Sequence, residues 1–280
     1  MRAYLREFLS DPRVVKLPRW LWLPILHGIV LRTRPAKSAE KYQQIWTPEG
    51  SPLAVHTMRQ AALLAEELGM PVKYAMRYGK PSVASALTGM DDALVIPLYP
   101  QYAESTTASV ADVLPPGTPM VESFYEHPAY IEALAANVQR HWQKHGRGAM
   151  LVMSFHGLPR QGAERYELEC HATAALLAAK LGLKQAAWKI TFQSRFGYAD
   201  WLQPYTEPTL VALAREGLKR IDVVCPGFVC DCLETLEEIG ITAHRAFRAA
   251  GGQDLCLIPC LNESAEWISA LAEIARARVA

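Results

Sequence analysis

Short apolar runs alternate with longer amphipathic stretches along the chain. The longer stretches carry apolar residues at helical spacing. We expect helices at 53–68, 127–145, 164–181, 207–218, 231–239 and 262–277. The short runs are typical of buried strands. We expect strands at 72–76, 93–98, 149–154, 186–191, 221–225 and 255–258. This alternation predicts an α/β fold whose parallel sheets are covered by helices on both faces.

A turn-rich segment divides the expected strands into two groups. Residues 114–119 read Leu-Pro-Pro-Gly-Thr-Pro, which favours turns over regular structure. We therefore place a domain boundary near residue 125. The prediction is an amino-terminal domain at 1–125 and a carboxyl-terminal domain at 126–261.

Composition narrows the class of partner. The chain has 29 Lys and Arg against 28 Asp and Glu, and half of its residues are hydrophobic. With the charges so balanced, no basic stripe is available to bind nucleic acid, and we expect a small-molecule ligand. The six cysteines are irregularly placed, which favours free thiols in a reducing cytoplasm over a disulfide scaffold.

The most apolar stretch covers residues 20–31. It is shorter than the roughly 20 residues of a membrane-spanning helix, and Pro24 and Gly28 interrupt it. Flanked by Arg19 and Arg32 and carrying two tryptophans, it suits a peripheral membrane contact or the mouth of a pocket. The alternative is a buried helix with a proline kink.

His156 directly follows a predicted strand, within the segment Ser-Phe-His-Gly-Leu-Pro at 154–159. In parallel α/β sheets, ligands bind beyond the carboxyl ends of the strands. An imidazole at that edge can accept protons near neutral pH or bind a metal ion. The alternative is a structural histidine.

Three acidic residues follow another predicted strand. Asp231, Glu234 and Glu238 are spaced i, i+3 and i+7, so we expect them on one side of a helix. Such a row is suited to carrying protons or a hydrated divalent cation, and Glu234 could face His156 across a cleft. Alternatively, Asp231 caps the helix together with Glu234, and the row is a solvated acidic face.

His141 and His145 are four residues apart on a predicted helix. No glutamate follows His141 as in the helical zinc motif, so we interpret the pair as a solvated helix end.

Aromatic residues cluster after a third predicted strand. They offer flat apolar surface for a large planar ligand, or alternatively belong to the core: Phe192, Phe196, Trp201 and Tyr205. In the first half, Arg77, Tyr78 and Tyr99 also follow predicted strands. Cationic and hydroxyl groups beside aromatic rings suit an aromatic ligand with carboxylate arms.

These motifs together resemble those of the ferrochelatases, which insert ferrous iron into protoporphyrin IX. The resemblance is nearly end to end and is nearest to the proteobacterial branch. It is carried by residues 4–11, 50–53, 100–102, 154–159, 191–197, 201–206, 226–228 and 231–236. It implies two Rossmann-like domains around an active-site cleft.

The resemblance also implies roles for individual residues. His156 matches the pocket histidine and Glu234 the carboxylate opposite it, and both are candidate contacts of the incoming metal. Asp231 and Glu238 match the acids of a proton or metal path. Porphyrin-side positions are Ser51, Arg77, Tyr78, Tyr99 and Trp201, and Arg32 or Arg34 matches a basic pair at the lip. Whether His156 acts as base, metal ligand or both stays open.

The implied reaction inserts Fe(II) into protoporphyrin IX and releases two protons, the last step of haem biosynthesis. Zinc insertion in vitro is expected as well, because imidazole and carboxylate also suit zinc. We expect no cofactor beyond the iron substrate. A [2Fe-2S] cluster is not expected, because the carboxyl-terminal cysteine extension is missing and Glu104 stands where an internal ligand would be. The alternatives are a non-catalytic tetrapyrrole- or haem-binding protein, or a chelatase for another tetrapyrrole such as coproporphyrin.

The chain departs from the family at its start. Family members open with an apolar strand before the helix that here begins at Met1. We therefore expect Met1 to be an internal start, and the last helix, 262–280, to complete the amino-terminal domain. The oligomeric state is left open.

Overall fold

The computed structural model describes residues 1–90, 92–197 and 199–279, without the side chain of Val279. Its α-helices are α1 (Arg2–Ser10), α2 (Arg19–Ile25), α3 (Leu31–Ile45), α4 (Pro52–Leu68), α5 (Val83–Leu87), α6 (Ser109–Ala111), α7 (Pro128–His145), α8 (Glu164–Lys180), α9 (Thr206–Arg215), α10 (Leu233–Leu236), α11 (His244–Ala249) and α12 (Ala265–Val279). The strands are β1 (Leu151–His156), β2 (Trp188–Gln193), β3 (Arg220–Val224) and β4 (Asp254–Leu257). Short π-helical segments cover Leu26–Val30, Glu104–Ala108 and Glu238–Ala243, and a 3₁₀ turn covers Gln185–Ala187.

The four strands form one parallel sheet in the order β2-β1-β3-β4. The chain proceeds from β1 to its neighbour β2 on one side, then returns to place β3 on the other side of β1. The order therefore reverses between β1 and β3, and such a switch point opens a crevice beyond the carboxyl ends of the strands. The residues that follow β1 and β3 meet at this crevice.

Helices cover the sheet on both faces, as the alternation of buried residues along β1 dictates. Met153 and Phe155 pack into a core formed mainly with α7, α8 and α12. Val152 points the other way, into a second core that includes Leu210 of α9 and Phe247 of α11. The predicted α/β class with a helix-flanked parallel sheet is confirmed.

The two strands expected in the first half form only single bridges. Met76 bridges to Ser82, and Val95 bridges to Met120 in parallel orientation. Val95 receives a hydrogen bond from Val121 N and donates one to Pro119 O, both at 2.9 Å. Pro97 stands where the next rung requires an amide hydrogen, so the ladder stops there. The expectation of regular strands at 72–76 and 93–98 was wrong, and the division into two domains stays a prediction.

The amino-terminal helices have a small core of their own and pack against the second half of the chain. Leu5, Leu9, Leu26 and Leu31 are buried together. Helix α3 packs against α10, where Lys41 Nζ lies 2.8 Å from Glu237 Oε2. The segment after β3 is therefore covered by the start of the chain.

Residues 20–31 form neither a uniformly buried helix nor a simple kink. Helix α2 contains Pro24 and continues as the π-helical segment Leu26–Val30. Leu26 is buried, whereas Trp20 is 79% exposed and Ile29 is 61% exposed. Among the described residues, no helix is both long and apolar enough to cross a bilayer.

Candidate active site

His156 is the last residue of β1, at the crevice formed by the reversal of strand order. Its Nδ1 lies 2.6 Å from the carbonyl oxygen of Gly157. Because a carbonyl oxygen only accepts, Nδ1 carries the hydrogen in this contact and Nε2 of the neutral ring retains its lone pair. The Tyr166 hydroxyl donates to the His156 carbonyl at 2.8 Å, which anchors the backbone. The arrangement presents a half-buried imidazole with one nitrogen available as a proton acceptor.

Gly157 permits the backbone to turn tightly beside β2. Its amide donates to Gln193 O at 2.8 Å. A Cβ at this position would meet the same carbonyl oxygen at 2.6 Å and Trp201 Cε3 at 3.3 Å. The missing side chain is therefore a steric requirement for placing His156 beside the end of β2.

Replacing Gly157 by alanine is expected to lower the free energy of unfolding by about 1–3 kcal/mol, the range of overpacking in a tight site. The cause is the clash with the backbone carbonyl of Gln193, which cannot rotate away. Urea unfolding measures the effect. Gly28→Ala is the matched control, because a Cβ there meets nothing within 4 Å. Equal stability of the two variants would contradict this account of Gly157.

Gln193, the last residue of β2, links this strand to β1 and to α10. It pairs in register with His156 and is buried. Its Oε1 accepts from Ser154 Oγ at 2.7 Å, and its Nε2 donates to the backbone carbonyl of Glu234 at 2.6 Å. Both ends of the amide are satisfied, so Gln193 fixes α10 relative to β1 and β2.

Ser194 binds the Glu238 carboxylate, and its own backbone conformation is unusual. Its φ is +64°, a left-handed value that non-glycine residues adopt rarely. In this conformation its N–H and hydroxyl both donate to the Glu238 carboxylate, each at 2.6 Å. Local strain of this kind concentrates at functional sites. The structure therefore brings Glu238 to the same sheet edge as His156.

Glu234 lies on α10 and is half-buried. Burial first, and then the charge of Glu234, raise the pKa of Tyr42 to about 12. The same two causes are among those that raise the pKa of Tyr4 and Tyr99, with burial again the largest. These phenols belong to the first half of the chain and stay protonated near Glu234, so they can donate hydrogen bonds on that side. The structure records no direct hydrogen bond between Glu234 and His156.

Asp231 is placed differently from its two acidic neighbours. It is buried, and its carboxylate accepts from Asn262 Nδ2 at 2.7 Å and from Thr235 Oγ1 at 2.9 Å. The N-cap of α10 is Cys232, whose capping box closes with Thr235, so the alternative interpretation of a cap by Asp231 with Glu234 was wrong by one residue.

The expected single helix at 231–239 was also wrong. Helix α10 ends at Leu236, and a π-helical segment begins at Glu238. Because the wider π turn changes the angle between successive side chains, the three acids do not follow one regular α-helical face.

The aromatic residues after β2 divide between the core and the surface. Phe192 is buried in the core, and Tyr205 is half-buried. Trp201 is buried too, but its Nε1 has no hydrogen-bond partner. Phe196 is 52% exposed, with its ring centroid 5.0 Å from that of Trp201 and 5.8 Å from the Arg34 guanidinium. Phe196 therefore exposes a flat ring with the buried Trp201 packed beside it, and a ligand contact of either residue stays a prediction.

Arg77 and Tyr78 form an ion pair and hydrogen bonds with other residues of the first half of the chain. Arg77 Nη2 lies 2.5 Å from Asp11 Oδ2, and the Tyr78 hydroxyl donates to the same oxygen at 2.9 Å. Ser51 precedes α4 as its N-cap residue, and its carbonyl accepts from Val55 N. Arg32 and Arg34 are exposed on α3. The substrate contacts of these residues stay predictions.

Two residues of the site were missed by the sequence reasoning. Gln193 and Ser194 lie inside the quoted segment 191–197, yet no role was assigned to them. Their position directly at the end of a predicted strand was the available signal. Their partners are more than forty residues away: Gln193 contacts Glu234 and Glu238 at separations of 41 and 45 positions, and Ser194 contacts Glu238 at 44.

Comparisons with known proteins identify the family of this chain. The family model described as Ferrochelatase matches residues 1–279. The ferrochelatase of Aromatoleum aromaticum is 54% identical over all of this chain and 83% of that protein, and that of Azoarcus sp. is 55% identical over 97% of this chain and 80% of that protein. The ferrochelatase of Bordetella pertussis is 52% identical over 98% and 82%.

Two solved structures share the fold at low sequence identity. CbiX, described as the terminal enzyme of siroheme biosynthesis in denitrifying bacteria, has a TM-score of 0.56 and 19% identity, over 82% of this chain and 95% of that chain. SirB from Bacillus subtilis with Fe3+ has a TM-score of 0.58 and 15% identity, over 82% and 92%. With a family match over nearly every residue and relatives more than half identical, the chain belongs to the ferrochelatase family of enzymes.

Proposed function

We propose that this chain inserts Fe(II) into protoporphyrin IX, giving protohaem and two protons in the last step of haem biosynthesis. The observation that carries the proposal is the placement of His156 at the switch-point edge of the sheet, with Nε2 left as a proton acceptor. Glu238 is tied to the same edge through Ser194. A base and carboxylates at one crevice match what metal insertion into a porphyrin requires.

Proton removal is the first demand of the reaction. The two inner N–H bonds of the macrocycle break, two protons leave, and the four ring nitrogens bind the incoming Fe(II). His156 Nε2 accepts the first proton in this proposal, because Nδ1 is held as a donor to Gly157 O. The imidazolium then passes its proton onward, so the base is restored for the second one.

Glu234 and Glu238 are the proposed exit for protons or entry for Fe(II). Glu238 is fixed by two short hydrogen bonds, whereas Glu234 faces phenols that stay protonated. Hard carboxylate oxygens suit a hydrated divalent cation. Asp231 has its oxygens occupied by Asn262 and Thr235, so we assign it the support of α10 behind this path.

Gripping the macrocycle is the second demand. A planar porphyrin hides its inner nitrogens, and binding energy gained on its periphery can offset the cost of bending it. We propose that Phe196 contacts the ring face, supported by the buried Trp201 beside it, and that Arg34 lies near a propionate arm, since its guanidinium already lies over Phe196.

We also propose that the outer face of residues 20–31 contacts the surface of an anionic membrane. Trp20 is 79% exposed and Ile29 is 61% exposed, and Arg19 and Arg32 beside them are exposed as well. Apolar side chains flanked by arginines favour an interface with anionic lipid headgroups. This contact would place the crevice near a membrane-dissolved tetrapyrrole.

The double substitution Trp20→Ser and Ile29→Ser is expected to lower co-sedimentation with phosphatidylglycerol-containing vesicles at least about tenfold, since about 25 cal/mol per Å² of apolar surface is no longer removed from water. Leu168→Ser and Leu176→Ser on α8 serve as the control, because both side chains are exposed and lie elsewhere. Equal vesicle binding by the two double variants would contradict the proposed contact.

The function itself is tested by mixing the full chain anaerobically with protoporphyrin IX and Fe(II) and following the conversion of the porphyrin spectrum into that of haem. We expect turnover, and faster turnover with protoporphyrin than with coproporphyrin. Binding of porphyrin without turnover would overturn the proposal in favour of a non-catalytic tetrapyrrole-binding protein. Preferred turnover of coproporphyrin would overturn the assigned substrate.

A further inference from the structure

A second group of metal-ligating side chains lies away from the crevice. His141 of α7, Asp222 of β3 and Cys256 of β4 each place one ligand atom within 4.8 Å of the other two. Asp222 pairs with Leu151, the first residue of β1, whereas His156 is the last. At about 3.3 Å per residue, the group lies some 16 Å along the sheet from His156.

The sheet itself builds this group. Asp222 and Cys256 are register partners in β3 and β4, so their side chains emerge on the same face. Helix α7 covers that face, and Trp142 Nε1 donates to Asp222 Oδ2 at 2.7 Å. That contact fixes the helix so that the preceding residue, His141, lies over the two strands.

The hydrogen bonding of the group is incomplete in the described structure. Asp222 is fully buried at 0% exposure, and its Oδ1 has no hydrogen-bond partner. His141 Nε2 is buried and also lacks a partner. A buried carboxylate oxygen and a buried imidazole nitrogen without partners are costly, and a shared cation would satisfy both.

The surrounding charges are compatible with a divalent cation. Asp254 lies beside Cys256, with Sγ 3.1 Å from its Oδ2, and Arg220 Nε lies 3.7 Å from the same carboxylate oxygen. The ring centroid of His145 lies 4.7 Å from that of His141, with the two ring planes tilted by 37°. Asp222, Asp254 and a Cys256 thiolate carry three negative charges. Arg220 and one divalent ion carry three positive charges, so the total is zero.

From this geometry we propose that His141, Asp222 and Cys256 bind a zinc ion at a site separate from the iron-insertion site. Imidazole nitrogen, carboxylate oxygen and thiolate sulfur are all zinc ligands, and three of them leave the fourth tetrahedral position to water. On binding, Cys256 releases its thiol proton to solvent and a sulfur–zinc bond forms. The site joins α7 to two strands, so its occupancy stabilises the carboxyl-terminal sheet.

Cobalt(II) distinguishes this site from the crevice, because only a cysteine ligand produces a thiolate-to-cobalt charge-transfer band. The full chain is treated with chelator and titrated anaerobically, without porphyrin, first with Co(II) and then with Zn(II). We expect the band in the unchanged chain and in His156→Ala, with Zn(II) displacing it. Cys256→Ser should lose the band, and His141→Ala should weaken cobalt binding at least about tenfold.

Thermal unfolding provides a readout that does not depend on the band. Zn(II) should raise the Tm of the unchanged chain and of His156→Ala, but not that of Cys256→Ser or His141→Ala. A missing band in the unchanged chain would overturn the proposal. So would an undiminished band in Cys256→Ser, or equal zinc-induced shifts in all four proteins.

Discussion

Replacement of His156 by alanine is expected to lower kcat for iron insertion by about 10²–10⁴-fold, the usual contribution of a positioned general base. The residue ends β1 at the switch point, and its Nδ1 contact with Gly157 O leaves Nε2 as the acceptor. The substitution removes the imidazole that, in the proposed mechanism, receives the first inner proton of the porphyrin. The rate is measured anaerobically with saturating protoporphyrin IX and Fe(II).

The split between kcat and KM distinguishes lost chemistry from lost binding. We expect porphyrin affinity to change little, because His156 is one small contact beside a large aromatic surface. His171→Ala on α8 is the matched control, as an exposed histidine outside the crevice. A kcat within a few-fold of that of the control variant would refute the assignment of His156 as the base.

Glu234→Gln extends this test along the proposed path. The substitution preserves the shape of the side chain and leaves its backbone carbonyl free to accept from Gln193. It removes the negative charge that faces Tyr42 and Tyr99. A loss of turnover with unchanged stability is expected if this carboxylate carries protons or metal.

Replacement of Asp11 by asparagine is expected to lower the free energy of unfolding by about 3–5 kcal/mol, the cost of breaking a buried ion pair on one side. Asp11 is buried, and its Oδ2 accepts from Arg77, Tyr78 and Ser109 at 2.5, 2.9 and 3.0 Å. These contacts join the end of α1 to two distant segments of the first half. Removing the charge leaves the largely buried Arg77 guanidinium without its counterion.

Asp112→Asn provides the comparison for this prediction. Asp112 also pairs with an arginine, Arg13, but both side chains are substantially exposed, and such pairs contribute at most about 1 kcal/mol. Urea unfolding of both variants measures the difference. Adding Arg77→Met to Asp11→Asn should restore part of the loss, because the unpaired charge is then gone. Similar stability of the two single variants would contradict a structural role for Asp11.

The same contacts bear on substrate binding. Arg77 and Tyr78 match porphyrin-side positions by resemblance, yet in the structure their polar atoms are bound to Asp11 and Ser109. A porphyrin carboxylate would have to compete with a buried Asp11 for this guanidinium. The kinetic effect of Arg77 substitutions is therefore expected to follow their effect on stability.

Local patterns in the sequence determined the carboxyl-terminal half of this protein well. Apolar runs of four to six residues between amphipathic stretches correspond to the observed strands. A strand of a parallel sheet is buried on both faces, so nearly all of its residues have to be apolar. The position of His156 at the end of a strand follows from the same kind of signal, because Gly157 and Pro159 directly after it favour a turn. In the first half the same reasoning failed, because an apolar run becomes a strand only if a neighbour supplies its ladder, and Pro97 interrupts it.

Tertiary structure alone decided which side chains meet. Three contacts join residues that are distant in sequence. Gln193 hydrogen-bonds to α10, Asp11 is buried against Arg77, and His141 lies close to Asp222 and Cys256. The motifs located candidate residues at strand ends, but strand order and the packing of α7 set their distances. A sequence pattern reports which face of an element is buried, whereas side-chain chemistry depends on what the neighbouring element places against that face.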